Sequence, residues 1–207
     1  EQLSDQGFAV EQADSGEEAL RRLSDFAFDI LITDLRLPGI DGRQVLEAEG
    51  IPVKVFALPD QTHRPNLVAR IKGSGKQRPL LLMGHTDTVN VDPKKWSFPP
   101  FAATRDGGWV YGRGTVDDKD NVATALMTML LLKRLNVPLD RDVIFLAETG
   151  EEGSMQFGIA HLVEKHWPLI DAEFCLAEGG GVRRSNGREH RMLVSTTEKN
   201  PTAVKLI

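Results

Sequence analysis

Residues 79–89 read Pro-Leu-Leu-Leu-Met-Gly-His-Thr-Asp-Thr-Val, an apolar run that ends in a histidine and an aspartate. Residues 143–147 and 174–177 are two further apolar runs, and glutamates follow both of them. Short, continuous apolar runs are typical of parallel strands that are buried on both faces of a sheet. In open α/β sheets the binding site lies just beyond the carboxyl ends of such strands. The sequence therefore predicts an α/β fold with polar side chains gathered at one edge of its sheet.

Four short clusters supply these polar side chains. His85 and Asp87 are two residues apart in an extended segment, so their side chains leave on one face, where Asp87 can hold the His85 ring as a metal ligand. One histidine with several carboxylates suits a hard-to-borderline divalent cation, with zinc as the first choice. The clusters read Gly-His-Thr-Asp-Thr-Val at 84–89, Gly-Arg-Gly-Thr-Val-Asp-Asp-Lys at 112–119, Thr-Gly-Glu-Glu-Gly at 149–153 and Ala-Glu-Gly-Gly-Gly at 177–181.

In this order, the four clusters resemble the motifs of the dizinc aminoacylase/carboxypeptidase metallohydrolases. That family includes glutamate carboxypeptidases, acetylornithine deacetylase and succinyl-diaminopimelate desuccinylase. The resemblance covers residues 49–207. It implies a mixed, mainly parallel sheet flanked by helices, in a zinc-exopeptidase-like catalytic domain. It also implies that the substrates are N-acyl amino acids or the C-terminal residues of short peptides, cut at an amide bond.

The resemblance also implies which residues do the chemistry. Glu151 would be the general base that takes a proton from metal-bound water, and Asp87 the second catalytic residue. In the family, one metal is held by the residues that match His85, Asp117 and Glu178. The other is held by Asp117 as a bridge, by the residue that matches Glu152, and by a histidine that has no match in this sequence.

We therefore expect one complete three-ligand metal site and a two-ligand remnant. The family uses two zinc ions, and cobalt or manganese stays open as an alternative. The family's inserted lid or dimerisation domain would begin near Glu198, so residues 49–207 are expected to be the N-terminal part of the catalytic domain. A chain without the lid and the last histidine is expected to be weakly active or inactive. A homodimer, which the full-length family can form, is left open.

Residues 1–48 resemble a different family. An apolar run at 29–33 ends in Asp34 and is followed by Leu-Arg-Leu-Pro-Gly-Ile-Asp-Gly at 35–42. This pattern resembles the phosphoacceptor region of a flavodoxin-like response-regulator receiver domain, and it implies that Asp34 accepts a phosphoryl group with the help of magnesium. The receiver's acidic pair, hydroxyl residue and lysine, which offset the charge on the phosphoryl group, have no match here. A strand-end aspartate without chemistry is therefore the preferred interpretation of Asp34.

The sequence thus predicts a partial receiver-like segment at 1–48 joined directly to the hydrolase part at 49–207, without a Pro/Gly/Ser-rich linker. Three functions stay open. The first is an amide hydrolase, the second a phosphorylation-responsive signalling module, and the third a chimera without a selected function.

Composition restricts the class of protein. The 207 residues carry a net charge of −5 and are 41% hydrophobic, so no basic excess points to nucleic acid. The most apolar stretch, 125–132, is too short for a bilayer, and no secretion signal is visible. A cytoplasmic location is expected, while a periplasmic or secreted one stays open because residue 1 is not Met.

Cys175 is the only cysteine and is expected in the core. His161 and His166 are five apart, whereas a helical zinc motif needs histidines four apart, so the second ring is expected to lie off the face of the first and the pair is not interpreted as a zinc site.

Overall fold

The computed structural model describes residues 18, 21, 22, 41–179, 181–185 and 188–194. The predicted strand at 29–33 and the candidate phosphoacceptor Asp34 lie outside these residues. The chain divides into two compact units, Glu1–Ala177 and Glu178–Ile207. In the part of the chain that is described, no helix combines the length and apolar character that a membrane span requires.

The described elements are numbered here in chain order. The helices are α1 (Gly42–Ala48), α2 (Lys119–Arg134) and α3 (Ile159–Ile170). The strands are β1 (Val53–Phe56), β2 (Asn66–Ile71), β3 (Leu80–His85), β4 (Thr104–Asp106), β5 (Trp109–Tyr111), β6 (Val143–Glu148), β7 (Phe174–Leu176), β8 (Gly181–Ser185) and β9 (Arg188–Leu193).

Five strands of the first unit form one mixed sheet in the order β1-β2-β6-β3-β7. Strand β6 pairs in parallel with β3, which pairs in parallel with β7. Strand β2 is antiparallel to both β1 and β6, so it alone runs against the other four. The mixed, mainly parallel α/β sheet predicted from the sequence is confirmed.

Both faces of this sheet are covered by helices, because alternate residues of β6 point to opposite sides. Val143, Phe145 and Ala147 pack against α1 and α2. Ile144 and Leu146 pack against α3. This two-sided burial explains why β6 is apolar at every position up to Glu148.

Strand β7 differs from the prediction, because its three side chains are exposed. It pairs with β3 on one side only and forms an edge of the described sheet. Cys175 in this strand is therefore exposed, and the expectation that it packs in the core is wrong. An apolar run identifies a strand, but it does not reveal whether the strand lies inside the sheet or at its edge.

Helix α1 lies in the segment that the sequence assigned to the receiver resemblance, yet it packs in the core of the sheet. Asp41 begins the helix with a capping box, in which its carboxylate accepts from the Gln44 N–H and the Gln44 side chain accepts from the Asp41 N–H. Val45 and Leu46 are buried in the same apolar cluster as α2. After the helix, Glu49 forms an ion pair with Arg134, the last residue of α2.

Helix α3 bends at His166, whose backbone is not helical, two residues before Pro168. The bend brings the rings of His161 and His166 to a centroid distance of 5.2 Å, edge to face. The expectation that a spacing of five turns the second ring off the face of the first assumed a straight helix, which the bend interrupts. That the pair is not a helical zinc motif stays a prediction. The His166 ring also packs on Phe56, with a centroid distance of 4.2 Å.

Two short 3₁₀ helices, Pro93–Lys95 and Met155–Phe157, and two small hairpins complete the described elements. Strands β4 and β5 form an antiparallel hairpin that leads into the loop at 112–118, before α2. In the second unit, β8 and β9 form another antiparallel hairpin, with an irregularity between Arg183 and Arg184.

We predict that Leu46→Ala lowers the free energy of unfolding by about 2–5 kcal/mol, because it opens a cavity between α1 and α2. Leu46 is 0% exposed, whereas Leu135, just after α2, is 71% exposed. Leu135→Ala is therefore the matched control and is expected to change the stability by less than about 0.5 kcal/mol. Urea denaturation followed by circular dichroism measures both. Equal, small effects would show that α1 does not belong to this core.

Candidate metal centre

His85 ends β3 and is only 2% exposed. Its Nδ1 lies 3.0 Å from the backbone carbonyl oxygen of Asp87. A ring that donates from Nδ1 to this carbonyl presents the lone pair of Nε2 to the site, as a metal ligand must. Nε2 lies 3.0 Å from Oδ1 of Asp117 and 3.9 Å from Oε2 of Glu151.

The surroundings of His85 favour positive charge. Burial by itself would lower the pKa of the imidazole, but the Asp87 carbonyl and the carboxylates of Asp118, Asp87 and Glu151 outweigh it, so the pKa is raised. The same negative potential would favour a metal cation at Nε2.

Asp117 and Asp118 end the loop before α2, and their carboxylates have different partners. The peptide bond that joins them is cis. The Asp118 carboxylate is buried and accepts the backbone N–H of His85 at 3.0 Å. Burial raises the pKa of this carboxyl. Gly84 permits the close approach, since a Cβ at this position would lie 2.7 Å from Oδ2 of Asp118.

Three donor atoms of the first unit form a compact cluster. One ligand atom from each of His85, Asp117 and Glu152 lies within 4.8 Å of the other two. Oε1 of Glu152 is buried and has no hydrogen-bond partner. An imidazole and two carboxylates, one of them with an unpaired buried oxygen, fit a divalent cation such as zinc. This donor set combines His85 with Glu152, which the resemblance assigns to two different metals, so it differs from the three-ligand site expected from the motifs.

Glu151 and Glu152 occupy the loop between β6 and α3, as the sequence predicted. Half of the Glu151 side chain is exposed, and it faces Nε2 of His85 without being part of the donor cluster. Asp87 lies between His85 and this loop. The backbone carbonyl oxygen of Asp87 lies 3.0 Å from Nδ1 of His85, whereas Oδ1 of its carboxylate lies 3.6 Å away, so the carbonyl is the nearer partner of the ring.

Glu178 is the first residue of the second compact unit, and its role as a ligand stays a prediction.

Sequence reasoning missed Glu148, the last residue of β6. It pairs in register with His85 and is only 4% exposed. Burial, only partly offset by the N–H of Ile159, raises the pKa of its carboxyl to about 7. Oε2 of Glu148 has no hydrogen-bond partner. The signal available in the sequence was an acid at the end of an otherwise apolar run, directly before the Glu-Glu cluster.

Comparison with known proteins identifies the family. The sequence model of peptidase family M20/M25/M40 matches residues 81–189, more than half of the 207-residue chain. The chain belongs to this family. The matched range includes β3 from its second residue onward, the loop before α2 and the loop that carries Glu151 and Glu152. A second model, that of the response regulator receiver domain, matches residues 1–51.

Individual relatives agree with the family. The N-formyl-4-amino-5-aminomethyl-2-methylpyrimidine deformylase of Halalkalibacterium halodurans is 43% identical over 91 residues, which are 42% of this chain and 21% of that protein. A probable succinyl-diaminopimelate desuccinylase of Staphylococcus epidermidis is 36% identical over 124 residues, 59% of this chain and 29% of that protein. A solved M20 family metallo-carboxypeptidase from Sulfolobus solfataricus superposes with a TM-score of 0.56 at 25% identity. That match covers 68% of this chain and 32% of the carboxypeptidase, so the chain spans less than a third of each relative.

We predict that the metal-free chain loses stability as the pH rises from about 5 to 8, and that Glu148→Gln reduces this loss. The folded carboxyl keeps its proton up to about pH 7, whereas the unfolded one releases it near its ordinary value of 4.5. The native state then binds more protons in this window, so the free energy of unfolding falls with pH, by about 3 kcal/mol for this group.

Urea titrations at pH 5 and pH 8 in the presence of a chelator measure this difference. Glu164→Gln, at an exposed carboxylate, is the control and should leave the pH dependence as it is. An unchanged pH dependence in Glu148→Gln would contradict the assignment of this proton to Glu148.

Proposed function

We propose that the chain carries part of the catalytic domain of a zinc-dependent amide hydrolase. The observation that carries this proposal is the cluster of His85, Asp117 and Glu152 donor atoms, in which a buried Glu152 oxygen has no partner. An unpaired carboxylate oxygen in a buried site is costly unless a cation or a proton offsets it. Membership of the M20/M25/M40 peptidase family points to the cation.

In this proposal His85, Asp117, Glu152 and Glu178 would hold metal, with Asp117 in the place of the residue that two ions share in the resembling family. Bound there, zinc would supply a Lewis acid that polarises the substrate carbonyl and lowers the pKa of water. Glu151 takes the proton from the attacking water at its carboxylate, which its half-exposed position beside His85 allows. The same carboxyl then returns the proton to the leaving amine.

The substrates we propose are N-acyl amino acids or the C-terminal residues of short peptides. The names of the relatives support this class, since a deformylase and a desuccinylase remove an acyl group from nitrogen and a carboxypeptidase removes a C-terminal residue. In all three cases a C–N amide bond is hydrolysed. We also propose that this chain alone turns over such substrates weakly or not at all. None of its motifs supplies a match for the family's second metal-binding histidine.

We also propose that the receiver-like segment ends before α1 instead of at residue 48. The receiver model extends to residue 51, but Val45, Leu46 and Ile51 pack with α2 and the sheet of the first unit. The hydrolase part would then begin near Asp41, the N-cap of α1. A cytoplasmic location and the absence of nucleic-acid and membrane partners stay predictions from the sequence.

A signalling function is the alternative that the receiver match at 1–51 keeps open. Asp34 is its candidate phosphoacceptor. Incubation with acetyl phosphate followed by intact mass analysis tests it, and we expect no phosphorylation. A phosphoryl adduct that disappears in Asp34→Ala would favour the signalling module. If the chain neither binds zinc nor accepts a phosphoryl group, the remaining interpretation is a chimera without a selected function.

We predict that the folded chain binds about one zinc ion tightly and that His85→Ala removes this binding, because the imidazole is the one nitrogen donor of the cluster. Equilibrium dialysis followed by elemental analysis measures the zinc. Glu151→Gln, outside the donor cluster, should keep the zinc and lower any hydrolysis of N-acyl amino acids by about 10²- to 10⁴-fold.

His63→Ala, at an exposed histidine of the same unit, is the matched control for the loss of an imidazole. Zinc binding that is absent from the unsubstituted chain, or equal in His85→Ala and His63→Ala, would contradict the proposed site.

A further inference from the structure

The carboxylate of Asp87 faces three consecutive backbone N–H groups of the loop after β6. Oδ1 accepts from Gly150 at 2.8 Å and from Glu151 at 3.2 Å. Oδ2 accepts from Glu152 at 3.2 Å. Both oxygens of one carboxylate are therefore used to hold the segment that carries Glu151 and Glu152.

The loop is shaped to receive an anion at this point. Gly150 has a φ of +87°, and a Cβ there would lie 2.3 Å from the backbone oxygen of Ser154. The turn is closed by the N–H of Ser154, which donates to the Gly150 carbonyl at 2.8 Å. Successive N–H groups that converge in such a turn form a concave site with positive potential, and a carboxylate binds there through charge-assisted hydrogen bonds.

The His85 ring depends on a different part of Asp87. Its Nδ1 is 3.0 Å from the backbone carbonyl oxygen of Asp87. This carbonyl is present whatever side chain residue 87 carries. The carboxylate oxygen is farther away, at 3.6 Å. A substitution of the Asp87 side chain therefore separates the two roles, since it changes the loop contacts and leaves the ring contact in place.

We propose that Asp87 is a positioning residue whose carboxylate fixes the Glu151–Glu152 loop, while its backbone carbonyl orients His85. Asp87 thereby ties the end of β3 to the loop after β6. The importance of this tie for metal binding rests on the proposed function, because it assumes that Glu152 is a ligand. The loop contact itself does not depend on that assumption.

The test compares Asp87→Asn with the unsubstituted chain by NMR in the absence of metal. The amide has nearly the same shape, but it is neutral and its NH₂ group cannot accept a hydrogen bond from the loop. The amide oxygen can still accept from Gly150 and Glu151, so we expect hydrogen exchange of the Glu152 amide, which loses its acceptor, to become about tenfold faster or more. The ¹⁵N shifts of the His85 ring are expected to keep the same tautomer.

Asp92→Asn is the matched control, because the Asp92 carboxylate also accepts a backbone N–H, that of Lys94, at 3.2 Å. It should leave exchange at 150–152 unchanged. A changed His85 tautomer in Asp87→Asn with unchanged exchange at the Glu152 amide would overturn the proposal.

A second measurement needs no variant. Couplings across the hydrogen bonds, between the backbone nitrogens of Gly150 and Glu151 and the Asp87 carboxylate carbon, should be detectable in the unsubstituted chain. Their absence in a folded sample would also overturn the proposal.

Zinc titration separates this inference from the proposed function. We expect Asp87→Asn to bind zinc about 10- to 100-fold more weakly, as is usual when a group that orients a ligand is lost. If the unsubstituted chain binds no zinc, the proposed function fails, while the amide exchange still decides the loop contact. If exchange at Glu152 is faster but zinc affinity is unchanged, the link between the loop and metal binding is overturned.

Discussion

The parallel pairing of β3 with β6 is the constraint on which the site depends. The register runs without a shift from Leu80 opposite Val143 to His85 opposite Glu148. Because both strands end at the same edge, the histidine and the loop with the two glutamates begin at neighbouring points. A slip of one residue would turn every side chain of a strand to the other face. The two apolar clusters on either side of β6 prevent such a slip, so core packing fixes the geometry that the site needs.

Acidic side chains that the core does not neutralise lie close together at this edge of the sheet. Asp118 and Glu148 are buried, and burial raises the pKa of both carboxyls. Oε1 of Glu152 is buried without a partner. Without a cation, carboxylates in such surroundings become easier to protonate, and the fold loses stability as the pH rises. A bound dication would offset this cost, so the arrangement that lowers the stability at higher pH is also the one that would favour metal.

The sequence predicted the class of fold. His85, Asp117 and Glu152, which it proposed as ligands because each follows an apolar run or a glycine turn, lie close together in the structure. The sequence did not predict the partner of the Asp87 carboxylate. Its spacing from His85 indicates a shared face only while the chain is a strand, and β3 ends at His85. The exposure of β7 was missed because an apolar run does not reveal which strand lies at an edge. The place of α1 was missed because the partners of Leu46 lie on α2, far along the chain.

X-ray absorption at the zinc edge of the loaded chain tests most directly whether these donors form one metal site. The cluster predicts a first shell of nitrogen and oxygen, with the multiple-scattering pattern of one imidazole and with carboxylate oxygens in the remaining positions. The imidazole signal should disappear in His85→Ala, because His85 is the histidine of the donor cluster. A first shell of water oxygens alone, or one that contains sulfur from the exposed Cys175, would show that the metal binds elsewhere.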